Sequence, residues 1–245
     1  MVGRSDGRTV GRWSRCWMAF VGVVLLSVGP TVRPCAAQIG YDPSHSPYHD
    51  IRRGPAGVLM FGYLGGSRGS VGVGLTNGAT GGIRYEVQFG AVGASLGLAY
   101  GRTRSFIVQL PHDTVPPRST GPHDNAVVLA DAGLQLVLTG RKTWRGFAPY
   151  IGGALGVAAA STLPGDTSGY KFGTKFTIAP NAGLRWYPAR RVSVRADFRL
   201  LLWKLTYPVS YKVPNSNGVR VLPVTASLTE WTWQRWATIG LGWTF

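Results

Sequence analysis

The chain has 245 residues, of which 35 are glycine, and only 15% are charged, against about 25% in an ordinary soluble protein. The formal net charge is +16, and such a length can form one sizeable β domain. Both cysteines, Cys16 and Cys35, lie in the first 37 residues, which excludes disulfides, thiolate metal sites and cysteine nucleophiles from residues 38–245.

Residues 1–37 have the features of a secretory signal peptide. Four arginines precede a short apolar core, residues 17–28, and this core is shorter than the roughly 20 residues of a membrane-spanning helix. The small residues Cys35, Ala36 and Ala37 then offer a cleavage point before Gln38. We therefore expect the chain to enter an export pathway and to lose this segment.

Residues 38–56 are polar, interrupted by prolines and without periodicity, which indicates a flexible N-terminal extension that forms no helix or strand. His45, His49 and Asp50 have side chains that can bind a metal, but no regular spacing aligns them. We interpret them as solvated loop residues, and we expect no metal site and no cofactor.

Residues 57–245 contain eight segments with the side-chain alternation of β-strands. The clearest is 192–200, where apolar residues alternate with Arg195, Asp197 and Arg199. The predicted strands are 57–66, 82–89, 94–108, 126–139, 147–160, 172–187, 192–200 and 230–245. Short turns at 90–93, 140–146 and 188–191 alternate with long loops, which include 111–125, 161–170 and 207–229. An even number of antiparallel strands with loops sorted by length in this way is typical of transmembrane barrels.

The last predicted strand keeps an apolar face up to its final residue, Phe245, with Trp243 and Leu241 at alternate positions before it. With this ending and the sorted loops, the chain resembles bacterial outer-membrane β-barrel proteins of the eight-stranded opacity-protein and OmpA-membrane-domain type. The resemblance implies that Leu241, Trp243 and Phe245 form the signal read by the barrel-assembly machinery. The expected fold is all-β: an eight-stranded antiparallel up-and-down transmembrane β-barrel over residues 57–245, located in the cell outer membrane as a monomer.

In such a barrel the apolar faces meet lipid and the opposite faces meet the lumen, which eight strands leave just wide enough for side chains. The expected lumen charge network is Arg84, Glu86, Asp131, Arg185, Arg195, Asp197 and Arg199. Its three carboxylates and four guanidiniums should pair, because isolated buried charges are costly. Inward glycines should make room for the arginine heads: Gly97, Gly101, Gly152, Gly156, Gly240 and Gly242. The expected aromatic girdle at the ends of the apolar faces is Tyr85, Phe89, Trp186, Phe198, Trp233 and Trp243.

The positive charge persists without the signal segment, which holds five arginines and one aspartate, so 21 basic and nine acidic groups remain. Nucleic acid is the first partner that such a balance suggests, but export argues against it. The polyanion that an outer-membrane protein meets is lipopolysaccharide. We interpret the charge as a source of solubility and of phosphate contact at the bilayer rim, and we expect outer-membrane lipids as partners.

No catalytic site is expected. Some outer-membrane barrels modify lipid A, which requires a nucleophile and a base within hydrogen-bond reach. No histidine follows position 123, and His112, Asp113, Ser119 and His123 fall in one predicted proline-rich loop, where solvated tips are the ordinary explanation. The predicted function is therefore structural, or one of surface interaction: membrane integrity, binding of lipopolysaccharide or another anionic ligand, or adhesion through the long loops.

Two alternatives remain open at the sequence level. The first is a narrow porin-like channel, in which the inward arginines form a conducting path. The second is a soluble periplasmic ligand-binding barrel of lipocalin type, in which Leu134, Leu136 and Leu138 line a cavity.

Overall fold

The structure is a computed structural model that describes residues 46–52, 54–112 and 116–245. The expected signal peptide, residues 1–37, and the first part of the expected extension lie outside the described residues. Among the described residues, no helix is long and apolar enough to cross a membrane.

The described residues form ten β-strands and one short 3-10 helix, Val209–Lys212. The strands are β1 Tyr48–Asp50, β2 Gly54–Gly66, β3 Thr76–Phe89, β4 Val92–Gln109, β5 Arg118–Val137, β6 Lys142–Trp144, β7 Phe147–Ala160, β8 Gly173–Trp186, β9 Val192–Thr206 and β10 Thr229–Thr244. All strand pairings are antiparallel.

Eight of these strands close into a barrel. Their order is β7-β5-β4-β3-β2-β10-β9-β8, and pairing of β8 with β7 completes the ring. The last strand joins the first, with Leu241 opposite Leu59 on β2 and opposite Val194 on β9. Closure leaves no unpaired strand edge within the ring, so the backbone polar groups along it are paired. The expected eight-stranded antiparallel fold is confirmed.

The alternation predicted from the sequence decides which side chains point outward. On β4, Leu96, Leu98 and Tyr100 are exposed, whereas Ser95 and Ala99, on the opposite face of the strand, are buried. A strand has a side-chain period of two, so one set must face the interior and the other the surroundings. The same division holds on β10, where Trp243, Leu241 and Ile239 are exposed.

The predicted starts of β3 and β5 are wrong. β3 begins at Thr76, so Asn77 and Gly78 belong to the strand; a register shift between Thr76 and Ala79 and the positive φ of Asn77 explain why they read as a turn. β5 begins at Arg118 inside the predicted loop 111–125. Its pairing with β4 shifts between Ser105 and Ile107, which accommodates the Gly121-Pro122 step.

The interpretation of residues 38–56 as free of regular structure is also wrong for the part that the structure describes. β1 pairs with β6 inside the predicted turn 140–146, with His49 opposite Thr143. The backbone N–H of Ile51 donates to the carbonyl of Arg141, and that of Arg145 donates to the carbonyl of Pro47. These contacts hold residues 47–51 against the short-turn end of the barrel.

Candidate functional site: the barrel interior and its rims

Arg195 is the centre of a charged cluster inside the barrel. Its Nε and Nη2 atoms donate to the two carboxylate oxygens of Asp197, at 2.9 and 3.1 Å. Its Nη1 atom forms an ion pair with Glu86, and Nη2 also donates to the Tyr150 hydroxyl at 2.6 Å. Bidentate, charge-assisted contacts of this kind fix the orientation of a guanidinium as well as its charge. Arg195 therefore ties β9 to β3 and β7 across the lumen.

Arg185 extends the cluster. Its Nη2 atom lies 3.1 Å from the Glu86 carboxylate and also donates to the side-chain carbonyl of Gln135, while Nη1 donates to Gln88 at 3.1 Å. The Arg185 guanidinium also lies 4.7 Å from the centre of the Tyr150 ring, a cation–π distance. Glu86 thus serves two arginines at once.

Two further ion pairs complete the charged region. Arg199 Nη1 lies 3.0 Å from Asp131, with its guanidinium 5.3 Å from the ring of Trp236. Arg84 Nη1 lies 3.5 Å from Asp197. The seven residues named from the sequence all lie inside the barrel, but their direct contacts form a cluster of five and a separate pair, Arg199–Asp131. Four guanidiniums face three carboxylates, so the seven groups carry a net charge of +1.

The expected role of the inward glycines needs correction. A Cβ on Gly240 would lie 2.9 Å from Arg195 Cγ, so this glycine does make room for an arginine. In contrast, Gly97 lies against Asp131, Gly156 lies against the Ala130 carbonyl, and Gly242 lies against Ser193. For Gly101 and Gly152, the nearest obstacles are Thr80 and the Leu134 carbonyl.

Toward the long loops the interior changes from charged to apolar. The inward face of β9 continues from Arg199 to Leu201, Trp203 and Leu205, all buried. The loops supply further buried residues to the same core, including Val73, Leu75, Tyr170, Tyr207, Tyr211 and Leu222. Trp203 is not among the interior residues predicted from the sequence, although it is fully buried. We call this core, with its loop residues, the apolar cap.

Hydrogen bonds fasten the loops of the apolar cap. Glu230 accepts from the backbone N–H and hydroxyl of Ser70 and, at 2.8 Å, from the hydroxyl of Tyr207. The hydroxyls of Tyr211 and Ser168 lie 3.2 Å apart. Burial raises the pKa of Tyr207 to about 12, and burial also raises the pKa values of Tyr170 and Tyr211. The neutral phenols are thus the forms that the packed loops favour.

A second, smaller apolar cluster lies at the short-turn end. Ile51 packs there with Val137, Ala148 and Tyr150, so the segment that precedes the barrel covers its interior at this end. Beside it opens a cleft of about 840 Å³, lined by His49, Asp50, Ile51, Arg52, Thr143, Gly146, Tyr187, Pro188, Ala189 and Arg190. The charged cluster therefore lies between this smaller apolar cluster and the apolar cap, which we call the two apolar seals.

The six expected girdle residues all face outward, but they do not all lie at a strand end. Phe89, Trp186 and Trp243 lie at the short-turn ends of their strands, and Trp233 lies toward the loop end of β10. Phe198 is near the middle of β9, opposite Ala182 and Ala237, so its assignment to a girdle is wrong. Tyr85 also lies inside its strand, opposite Gly57 and Leu96.

The loop-end rim combines aromatic and basic side chains on the outer surface. Arg235 is exposed, and its guanidinium lies 4.8 Å from the centre of the Trp233 ring. Lys204 is exposed on β9 directly opposite Trp231. An open groove of about 620 Å³ beside them is lined by Tyr63, Gly65, Gly66, Ser67, Asn77, Phe198, Trp233, Arg235 and Ala237.

Residues considered for catalysis or metal binding are dispersed. Ser119 and His123 lie on β5, not in a loop, and His112 precedes that strand. Asp113 and His45 lie outside the described residues. No group of three or more metal-binding side chains occurs among residues 46–52, 54–112 and 116–245.

The expected assembly-signal residues Leu241, Trp243 and Phe245 all point outward. The backbone N–H of Phe245 donates to the carbonyl of Pro55 on β2, at 3.0 Å. The final residue thus lies at the seam between the last and the first strands of the barrel.

No protein-family model and no curated protein sequence matches the chain. Solved structures with a similar fold include OprG from Pseudomonas aeruginosa, which is 13% identical to this chain. The match covers 82% of this chain and 99% of that chain, with a TM-score of 0.48. Neisserial surface protein A is 14% identical, with 82% and 98% of the chains covered and a TM-score of 0.45. Ail of Yersinia pestis is 12% identical, with 79% and 100% covered and a TM-score of 0.41. The strand pairing of the chain itself makes it a closed eight-stranded antiparallel barrel.

Proposed function

We propose that this protein is an integral outer-membrane barrel with a closed interior, and that its loop-end rim binds the phosphate groups of lipopolysaccharide. The observation that carries the proposal is the polarity of the sheet. Large apolar side chains face outward on all eight barrel strands, for example Leu59, Ile83, Leu98, Leu134, Leu155, Ile178, Leu200 and Ile239. A soluble protein rarely exposes so large a continuous apolar surface, whereas a lipid-facing barrel requires one.

The lipocalin-type alternative requires the opposite polarity. It expects Leu134, Leu136 and Leu138 to line a cavity, but these side chains are 62%, 45% and 57% exposed. Arg195 and Arg199, which it would place outside, are 2% and 1% exposed. The soluble-barrel alternative is therefore wrong for this chain.

The closed interior is supported by the order of its layers. Ile51 and Tyr150 pack at the short-turn end, the ion pairs follow, and the apolar cap fills the loop end. The channel alternative predicts ion conductance in planar bilayers that is lost in an Arg195→Ala or Arg199→Ala variant. We expect no steady conductance from the native chain.

Phosphate binding at the loop end is supported by the rim chemistry. Arg235 and Lys204 present cations next to Trp233 and Trp231, and tryptophan prefers the membrane–water interface. Arginine and lysine bind phosphate through charge-assisted hydrogen bonds. In the orientation typical of outer-membrane barrels, the long loops face the cell exterior, where the outer leaflet contains lipopolysaccharide.

Two experiments test the proposal. The folded chain should partition into the outer-membrane fraction and migrate differently on gels before and after heating; recovery in the soluble periplasm would contradict it. Binding of lipopolysaccharide by the detergent-solubilised barrel should weaken several-fold when Lys204 and Arg235 are replaced by glutamine. Replacement of Arg141 and Arg190 at the opposite end is the matched control and should leave this binding unchanged.

A further inference from the structure

Arg84 has two buried nitrogen atoms without a hydrogen-bond partner, Nε and Nη2. Its side chain is fully excluded from solvent. Its third nitrogen, Nη1, reaches Asp197 Oδ2 at 3.5 Å, but that oxygen already accepts from Arg195 Nε at 2.9 Å. Because Nε and Nη2 lie on one edge of the planar guanidinium, their N–H groups point to the same side as a fork.

The equivalent fork of Arg195 shows what such an edge binds. There Nε and Nη2 hold the two oxygens of Asp197, an anion, in a bidentate contact. Both oxygens of Glu86 and both oxygens of Asp197 already contact arginines, and Asp131 Oδ2 contacts Arg199. Asp131 Oδ1 has no partner and makes no hydrogen bond to the fork of Arg84. The fork of Arg84 therefore has the form of an anion receptor, and no carboxylate of the cluster occupies it in the structure.

The charge balance points the same way. The seven interior groups carry +1, and a guanidinium does not lose its proton in a protein. An uncompensated charge in a low-dielectric interior is strongly unfavourable. A monovalent anion would neutralise the cluster, whereas a divalent one would only reverse its sign. On β4, the Ser95 hydroxyl is also buried without a partner, directly opposite Glu86 and diagonal to Arg84.

We propose that the barrel interior contains a binding site for one small monovalent anion of the halide class, held by the Nε–H and Nη2–H groups of Arg84. The anion is a structural component that completes the ion-pair cluster between the two apolar seals. This site goes beyond the proposed function and does not depend on it.

Bromide is the probe for the site. Crystals of the full chain refolded in detergent and grown in sodium bromide should show anomalous scattering within hydrogen-bond distance of Arg84 Nε and Nη2. In solution, the midpoint of thermal unfolding should rise by several degrees from sodium gluconate to sodium chloride at equal ionic strength, and should rise further with chloride concentration. Bromide found only at exposed arginines would overturn the proposal.

The Arg84→Met variant removes the fork and the excess charge together, so its unfolding should lose the chloride dependence. Arg141→Met removes one positive charge from an exposed turn at the short-turn end and should keep the dependence of the native chain. An equal chloride dependence in the native chain and in Arg84→Met would contradict the site. Should Arg84→Met fail to fold, the bromide scattering of the native chain alone decides the outcome.

Discussion

Along the inward face of β9, the side chains change character between Arg199 and Leu201. Toward the short-turn end, Arg195 and Asp197 are held by ion pairs. Toward the loop end, Trp203 and Leu205 are packed in the apolar cap. Both regions are buried, yet one depends on matched charges and the other on shape and apolar contact. Ion pairs close the lumen without loops in the charged region, whereas at the loop end three loops supply Val73, Tyr170 and Tyr211.

The charged region should show the largest response to a single substitution. Arg195→Met leaves Glu86 and Asp197 without their main partner in a buried site. Removal of one partner from a buried ion pair costs about 3–5 kcal/mol, so we expect the free energy of unfolding to fall by about 4 kcal/mol. Urea unfolding in lipid vesicles measures it, with Arg235→Met on the outer rim as the control. A change below about 1 kcal/mol would show that the ion pairs do not hold the interior.

The apolar cap can be tested at two adjacent residues whose side chains point to opposite faces of the sheet. Leu201→Ala removes an inward side chain and should lower the free energy of unfolding by about 3 kcal/mol, within the range for buried leucines. Leu200→Ala removes an outward side chain that meets lipid, and its effect in the same vesicles should be clearly smaller. Equal effects of the two substitutions would mean that Leu201 is not part of a packed core.

A pH titration should separate the two regions. Burial raises the pKa of Tyr207 to about 12 and also raises those of Tyr170 and Tyr211, against an ordinary value of about 10. A raised folded pKa means that this stabilisation is fully present below pH about 10 and is lost as the pH rises through about 12. The loops of the apolar cap should therefore become protease-sensitive in this range while the strand circular dichroism persists. Tyrosinate absorbance that develops fully near pH 10 would contradict the packing.

The smallest expected effect on stability comes from the hydrogen bonds that hold the loops in place. Glu230→Gln weakens the contacts to Ser70 and Tyr207, and a partly exposed charged hydrogen bond contributes about 1 kcal/mol. Proteolysis of the loop after β2 should become faster, with little change in global unfolding. Ser227→Ala, at the same end, is the control. No change in proteolysis would show that Glu230 does not fasten this loop.

Alternation was enough to predict the charged half of the interior. Arg195, Asp197 and Arg199 are separated by apolar residues, so their shared direction follows from the strand period. The apolar half could not be predicted in this way. Residues 200–203 read Leu-Leu-Leu-Trp, and a run that is apolar on both faces does not show which side is inward.

Other features depend on contacts between segments that are distant in the sequence. Nothing in residues 48–50 indicates a strand until Lys142–Trp144 lies beside them as a partner. The burial of Tyr211 and Leu222 depends on how the longest loop folds back on the barrel, which no local pattern specifies. The sequence shows that Phe198 is aromatic, but it does not show how deep in the barrel wall this residue lies. The prediction that Phe198 belongs to the girdle is wrong for that reason.

The central claim is that the apolar face of the sheet meets hydrocarbon and the charged face lines a closed interior. Residues 38–245 contain no cysteine, so single cysteines can report on each face. The most direct measurement is spin-label accessibility at Leu98→Cys and Ala99→Cys in lipid vesicles. The label at Leu98→Cys should collide freely with oxygen and poorly with a water-soluble nickel chelate, and the label at Ala99→Cys should be shielded from both. Strong collision of the nickel chelate with the label at Leu98→Cys would contradict the account.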